Sequence, residues 1–417
     1  MNGERNRCAV LFEKPHEADD LLERLREGEL ALHELEEETS PDEAADVRRR
    51  YIEEQEDVAL SETGAKHDSG EAKNNIENAV GATRVPLGVA GPLRIEGEHV
   101  EGEYRVPMAT TEGALVASTN RGCSAISDAG GATARVLKDA MTRAPVFRVS
   151  GVGAAAELVE WVDENFDALK EAAESTTSHG ELVRAKPYVA GDNVYIRFAY
   201  STGDAMGMNM ATVASRAACE VIEDETDAKL IALSGNVCAD KKPAAINAVE
   251  GRGRTVAADA VFPRQLVREK LKTTPEAVAE VNERKTLVGS ARAGTLGANA
   301  HAANVLSAVF LATGQDPAQV VEGASAYTTA SVRNGDLYFS VTIPALELGT
   351  VGGGTRLPTQ NEALELLGVA GGGEPAGDNA RELAEIVASA VLAGELSLHA
   401  ALASQHLDEA HERLGRD

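Results

Sequence analysis

The sequence predicts an α+β fold: a large mixed α/β domain, a smaller domain inserted into it, and a small helical region ahead of both. Three observations predict this. Residues 16–60 are charged and helical in pattern, with little apolar content. Residues 146–233 order their strand-like and helix-like stretches as βαββαβ. The segments on either side mix Gly-rich extended stretches with long Ala-rich helical ones. The expected boundaries are therefore 1–74 for the helical region, 75–145 with 234–417 for the large domain, and 146–233 for the insert. A chain of 417 residues is long enough for this many units and a large buried core.

In chain order, "EADDLLERLREGELALHELEEE" reads as an amphipathic helix, a second helical stretch follows Pro41, and "SETGAKHDSGEAKN" (61–74) reads as a loop. "VPLGVAGPL" is extended and punctuated by turns. "VFRVS" reads as a strand and "AAAELVEWVDENFDALKEAAE" as one helix. "ELVRAKPYVA" and "NVYIRFAYS" are strands joined by a Gly-Asp turn, "DAMGMNMATVASRAACEVIE" is a helix, and "AKLIALSG" a last strand. This is the split-βαβ, ferredoxin-like order. Beyond residue 252 the pattern is helical ("NAHAANVLSAVFLATG", "NARELAEIVASAVLAGELSLHAALASQHL"), with strand in "GDLYFSVTIPALELGTVGGGT" and a surface loop in "GVAGGGEPAGDN".

The formal net charge is -27, and the acidic residues are spread along the chain. Such a shell suits high salt, where repulsion is screened, and it disfavours nucleic acid and anionic membrane as partners. An anionic substrate would need a local basic patch. Cys8, Cys123, Cys219 and Cys238 form no CxxC pair, so neither a zinc site nor a disulfide framework is expected, and no metal. No apolar run is read as approaching the roughly 18–20 residues of a membrane span. The polar N-terminus lacks a signal-peptide core. The expectation is a cytoplasmic protein.

Five stretches carry candidate chemistry. "GVGAAA" (151–156) fits G-x-G-x-x-A between a strand and a helix, a dinucleotide pattern. Two adjacent strands follow it, however, which favours a plain turn into a helix. In "MATTEGALVASTNRGCSAI", Glu112 lies near the start of an Ala-rich helix; it either offsets the helix dipole or serves as a general acid raised by apolar surroundings. In "SGNVCADKKPAAIN" (234–247), Lys241 and Lys242 follow Asp240 between apolar segments. The charges are expected near the interior, where an ammonium stabilises a developing oxyanion. "NAHAANVLSAVFLATGQDPAQ" places His301 and Asn304 in a helix ending at Gly314, followed by Asp316. Finally, His399, His406 and His411 line the C-terminal helix, and His411 near its end could deliver a proton.

Together, "ENAVGATRVPLGVAGPL", "MATTEGALVASTNRGCSAI", "GDAMGMNM", "SGNVCADKKPAAIN", "GQDPAQ" and "TVGGGT" resemble hydroxymethylglutaryl-CoA (HMG-CoA) reductase, in family order from about residue 75 to the C-terminus. "DAMGMNM" resembles the biosynthetic class I form, which prefers NADPH, and the acidic shell suggests a haloarchaeal member. The resemblance implies reduction of HMG-CoA to mevalonate and CoA with two NADPH, without a metal, in a homodimer or homotetramer with active sites between subunits. It implies that Lys241 stabilises the thioester oxygen and that His411 protonates the departing CoA thiolate. Glu112 would act as acid for the second reduction, and Asp316 would bond with the lysine and glutamate. Arg143, Ser234, Asp240 and Lys242 match positions that hold the substrate's HMG portion, and Lys285 and Asn304 match positions that support the cluster. Asp204, Met208 and Asn209 belong to the cofactor motif of the small domain, which removes the dinucleotide reading of "GVGAAA". The family's 2′-phosphate-binding arginine is replaced by Ser178 beside His179. The family's phosphorylatable serine after the last histidine is missing from "HERLGRD", so that control is not expected. Two other readings are NAD-dependent mevalonate oxidation in the degradative direction and a non-catalytic CoA-binding protein.

Overall fold

The structure is a computed structural model that describes the backbone of residues 15–56, 59–60 and 75–414, with side chains for 18–55, 59–60 and 75–404. The 61–74 loop and the side chains of His406 and His411 lie outside the described residues. The chain divides into two units, residues 1–85 and 86–417. The first holds the helices Pro15–Glu27, Leu35–Glu38 and Pro41–Glu56. Their apolar stripes close on a small core of Leu21, Leu22, Leu25, Leu35 and Val47.

The second unit is a mixed α/β structure on a ten-stranded sheet. Its strands are β1 Leu87–Gly97, β2 Glu101–Ala109, β3 Ala132–Arg143, β4 Val146–Arg148, β5 Glu181–Ala190, β6 Asn193–Ser201, β7 Lys229–Ala232, β8 Arg252–Phe262, β9 Tyr327–Arg333 and β10 Asp336–Leu346. One wing runs β2-β1-β3-β8-β10-β9, antiparallel except for a short parallel β1–β3 contact. The other runs β7-β4-β6-β5, antiparallel throughout. The wings join at β3, whose end pairs with β6 through Met141↔Tyr200 while its body pairs with β8.

Each wing buries one face. In β8 the even positions Val256, Ala258, Ala260 and Phe262 point into the larger core, and in β10 Leu337, Phe339, Val341 and Ile343 join them, the period-2 signature of a half-buried strand. The helices Leu115–Asp128, Ala302–Thr313 and Asp378–Leu414 cover that face. The smaller wing has its own core, with Phe147, Ile196 and Phe198 under Leu158, Val162, Leu169 and Ile222.

Several sequence expectations need correction. The stretch 154–174 is two helices, Val152–Glu164 and Phe166–Glu174, broken at Asn165. Strands β8 and β9 lie where composition reads as helical; β8 is Ala-rich and lacks a strong β-branched signature, and pairing with β3 and β10 holds it as a strand. The apolar-run reading also fails. An 18-residue window within Asp378–Ser404 is apolar enough, by length and composition, to cross a membrane. That window is 83% buried inside the protein, and a helix surrounded by core is apolar on every side.

The contact between Leu115–Asp128 and the C-terminal helix depends on Gly122. A Cβ there would stand 2.0 Å from the Ala393 carbonyl oxygen. Gly122→Ala is expected to destabilise the fold by about 1–3 kcal/mol and lower the thermal midpoint. Gly153→Ala, where an added Cβ meets nothing within 4 Å, should not lower it.

Candidate active site

The loop between β7 and the helix Ala245–Glu250 carries the two lysines. Asn236, Ala239 and Lys241 all have left-handed backbones, with φ of 64°, 55° and 56°. Side-chain residues seldom adopt this conformation unless their surroundings impose it. Here the surroundings are visible. The buried Arg197 donates from Nε to the Val237 carbonyl (3.2 Å) and from Nη2 to Asn247 Oδ1 (3.3 Å) and the Gly251 carbonyl (2.8 Å). Asn247 in turn donates to the Ala239 carbonyl at 3.2 Å. Ser234 Oγ lies 3.3 Å from the Sγ of buried Cys238.

The loop presents Lys241 Nζ to Asp316 Oδ2 at 2.8 Å. The other carboxylate oxygen of Asp316 accepts the Ala318 N–H at 3.0 Å and caps the short turn Pro317–Gln319. Asp316 is thus both a cap and an ion-pair partner. Its hydrogen bond holds the Lys241 ammonium above the ordinary lysine range. Contrary to the sequence expectation, neither lysine is interior: Lys241 is half-exposed, and exposed Lys242 donates to the Asp240 carbonyl at 3.0 Å. The buried charges lie underneath. Asp240 Oδ1 accepts from Arg252 Nη2 (3.0 Å) and Gln319 Nε2 (3.1 Å). Arg252 Nη1 reaches Glu322 at 3.3 Å and Glu347 at 3.0 Å, and the Lys241 N–H donates to Glu322.

Glu112 sits elsewhere. It is exposed in the loop before Leu115–Asp128, not within an apolar helix, and it accepts from Asn304 Nδ2 at 3.2 Å. Asn304 lies in the first turn of Ala302–Thr313 and His301 stands at the position before it, without a side-chain cap bond, so neither is in the helix interior. The buried Glu395 fixes this end by accepting the Ala300 and His301 N–H groups at 2.8 and 2.7 Å. Lys285 is exposed on a π-helix, Asn282–Gly289, whose Thr286 hydroxyl lies 2.8 Å from Nε2 of buried His399. Burial is the main cause holding His399 below the ordinary histidine value. Asn304 and Asp316 bracket a 12-residue helix, which is about 18 Å long. Within the chain, Glu112–Asn304 and Lys241–Asp316 therefore stand at opposite ends of it.

The segment 203–209 lies beside 349–354 through an Ala205↔Val351 bridge and a Thr350 N–H to Asp204 carbonyl bond of 2.8 Å. Gly207, at φ 85°, turns the chain into the helix Met208–Glu225, leaving Asn209 exposed in its first turn. Arg252 Nη2 is 2.8 Å from Met208 Sδ. The Asp204 carboxylate is buried and accepts the N–H groups of Gly373, Gly377 and Ala380 at 2.9, 2.7 and 3.1 Å, clamping the start of the C-terminal helix. Ser178 and His179 are exposed after Phe166–Glu174. Arg143 ends β3 with its Nε buried and without a hydrogen-bond partner among the described residues.

A family model described as hydroxymethylglutaryl-coenzyme A reductase matches residues 44–416. The chain belongs to the HMG-CoA reductase family. The 3-hydroxy-3-methylglutaryl-coenzyme A reductase of Haloferax volcanii is 63% identical over 401 residues, covering 96% of this chain and 100% of that protein. The enzyme of Halobacterium salinarum is 61% identical, with 96% and 100% covered. Among solved structures, the class II enzyme of Streptococcus pneumoniae bound to NADPH, in open conformations, aligns with a TM-score of 0.66 at 21% identity. That alignment covers 89% of this chain and 100% of the other, a likeness of fold. As a member of the HMG-CoA reductase family, the protein reduces HMG-CoA in the mevalonate pathway.

Arg252, Glu322 and Glu347 were not singled out from the sequence. A signal was present: Arg252 and Arg254 fall in phase with Val256, Ala258 and Ala260, so the period of β8 already assigns them to the buried face. Lys241→Met or Asp316→Asn should each lower the rate of HMG-CoA reduction about 10²–10³-fold, measured as kcat in steady-state assays. Because the Lys241 pKa is raised, its ammonium persists below the ordinary lysine value of 10.5 and is lost only above it. A loss of activity setting in at lower pH must come from another group.

Proposed function

We propose that the protein is the class I, NADPH-dependent form of the enzyme, making mevalonate and CoA from HMG-CoA with two NADPH in the cytoplasm. The observation that carries the reading is the pairing of the half-exposed Lys241 ammonium with Asp316 on a loop whose left-handed backbone is imposed from below. Lys241 holds its positive charge at the thioester oxygen as that oxygen becomes negative, and Asp316 fixes the ammonium there. Ser234, Asp240, Lys242 and Arg143 bind the HMG portion; the buried, unpartnered Nε of Arg143 supports its share. Glu112 delivers a proton to the aldehyde oxygen, Asn304 and Lys285 orient Glu112, and His411 protonates the CoA thiolate.

The β7-β4-β6-β5 wing, a ferredoxin-like insert spanning 146–233, is the NADP-binding domain. The segments 203–209 and 349–354 fit a dinucleotide. At Gly352 and Gly353 an added Cβ meets nothing within 4 Å among the described residues. The N-terminus of the 18-residue helix Met208–Glu225 favours an anion. Asp204 shapes this segment, Met208 and Asn209 face it, and Ser178 and His179 meet the 2′-phosphate. When bound, NADPH supplies the hydrides. Because Glu112–Asn304 and Lys241–Asp316 occupy opposite ends of one helix, each complete site takes one pair from either subunit of a homodimer, alone or within a tetramer.

Two experiments test this. In molar salt, HMG-CoA-dependent loss of NADPH absorbance should exceed the rate with NADH; dominant NAD-linked mevalonate oxidation would favour the degradative reading. Glu112→Gln and Lys241→Ala, each inactive alone, should regain about a quarter of wild-type activity when unfolded and refolded together in equal amounts. No recovery would rule out the shared site.

A further inference from the structure

We propose that Glu322 and Glu347 hold one proton between them beneath the Lys241 loop, as positioning residues that limit negative charge under the bound substrate. Both carboxyls are buried and converge on one nitrogen. Arg252 Nη1 serves Glu347 Oε1 at 3.0 Å, Glu322 Oε1 at 3.3 Å and Gln319 Oε1 at 3.2 Å. That is three acceptors for two hydrogens. The second oxygen of each, Glu322 Oε2 and Glu347 Oε2, is buried with no hydrogen-bond partner among the described residues. An ionised carboxylate with an unpaired buried oxygen is unfavourable, and two such groups close together do not both ionise.

The charges facing the pair come from every element around it. Arg252 lies on β8, Asp240 and Lys241 on the loop, and Asp316 on the capped turn, while Gln319 and Met208 contribute neutral polar atoms. Fully ionised, the two cations would face four carboxylates. A retained proton leaves three, a lighter burden for a site that takes an anion. Glu322 matters twice, because its Oε1 also accepts the N–H of Lys241 in its left-handed conformation. Burial, opposed by Arg252, raises both carboxyls above the ordinary carboxylate value of 4.5. The folded state therefore binds more protons than the unfolded chain above that value, and stability falls as pH rises towards the raised value. Substrate affinity falls over the same interval, since the lost proton adds a negative charge below the HMG carboxylate.

The kinetic arm rests on HMG-CoA as substrate; the spectroscopic arm does not. With full-length protein in molar salt, KM for HMG-CoA should rise roughly fivefold or more between neutral and alkaline pH, with kcat changing less. In Glu347→Gln, which cannot ionise, KM should stay flat. A variant whose KM follows the wild-type pH curve overturns the proposal. Infrared difference spectra of wild-type protein labelled with ¹³C-glutamate should show a protonated carboxyl at neutral pH that disappears on alkaline titration. That band should be absent from Glu347→Gln or, if that variant does not fold, from Glu322→Gln. No such band in the wild type, or its survival in the variant, overturns the proposal. A wild-type protein that fails to reduce HMG-CoA but shows the band would count against the substrate and leave the shared proton standing.

Discussion

The contact of Arg252 with Asp240, Glu322 and Glu347 is the joint on which the site depends. One guanidinium with no solvent exposure connects the lysine loop, the capped turn and the first residue of the helix Met208–Glu225. The lysine loop and the capped turn are irregular backbone, which keeps one geometry only where tertiary contacts fix it. Arg252 supplies such contacts from β8, the strand at the middle of the larger wing, through the side chains of Asp240, Gln319, Glu322, Glu347 and Met208. The Lys241 ammonium can therefore stand half in solvent and still be held in place.

The second determinant is the path of β3. Its body belongs to the larger wing and its last residues pair with β6. The chain then continues through β4 into the smaller core. The loop after β7 returns to the larger wing supported by Arg197, a buried side chain of β6. The lysine loop is thus built where the two wings meet, supported from β6 on one side and β8 on the other.

The acidic composition bears on this arrangement. A surface far from neutrality repels an anion, so capture depends on charges placed at the site, where screening is weakest. Lys241 and Lys242 bring two positive charges to the surface of their loop, with Arg252 buried below. Asp240 and Asp316 accompany the cations as orienting groups: a lysine stem is flexible, and a paired one is directed.

The sequence by itself determined a good deal. The period-2 and helical patterns located β5 and β6 and the long C-terminal helix, and the local strings "DAMGMNM", "SGNVCADKKPAAIN" and "GQDPAQ" pointed to the family and to Lys241 and Asp316. These are signals written in neighbouring residues. Composition misled where tertiary packing overrides propensity, as in Ala-rich β8, which reads as helix but is held as a strand by β3 and β10. The exposure of Glu112 and of the lysines, the separation of the Glu112–Asn304 and Lys241–Asp316 pairs along Ala302–Thr313, and the buried carboxyls under Lys241 were decided only by the tertiary structure. Each depends on residues far apart in the chain, Arg252 with Glu347 or Glu112 with Asn304. Burial and ion pairing are properties of the packed neighbours, which no local pattern specifies.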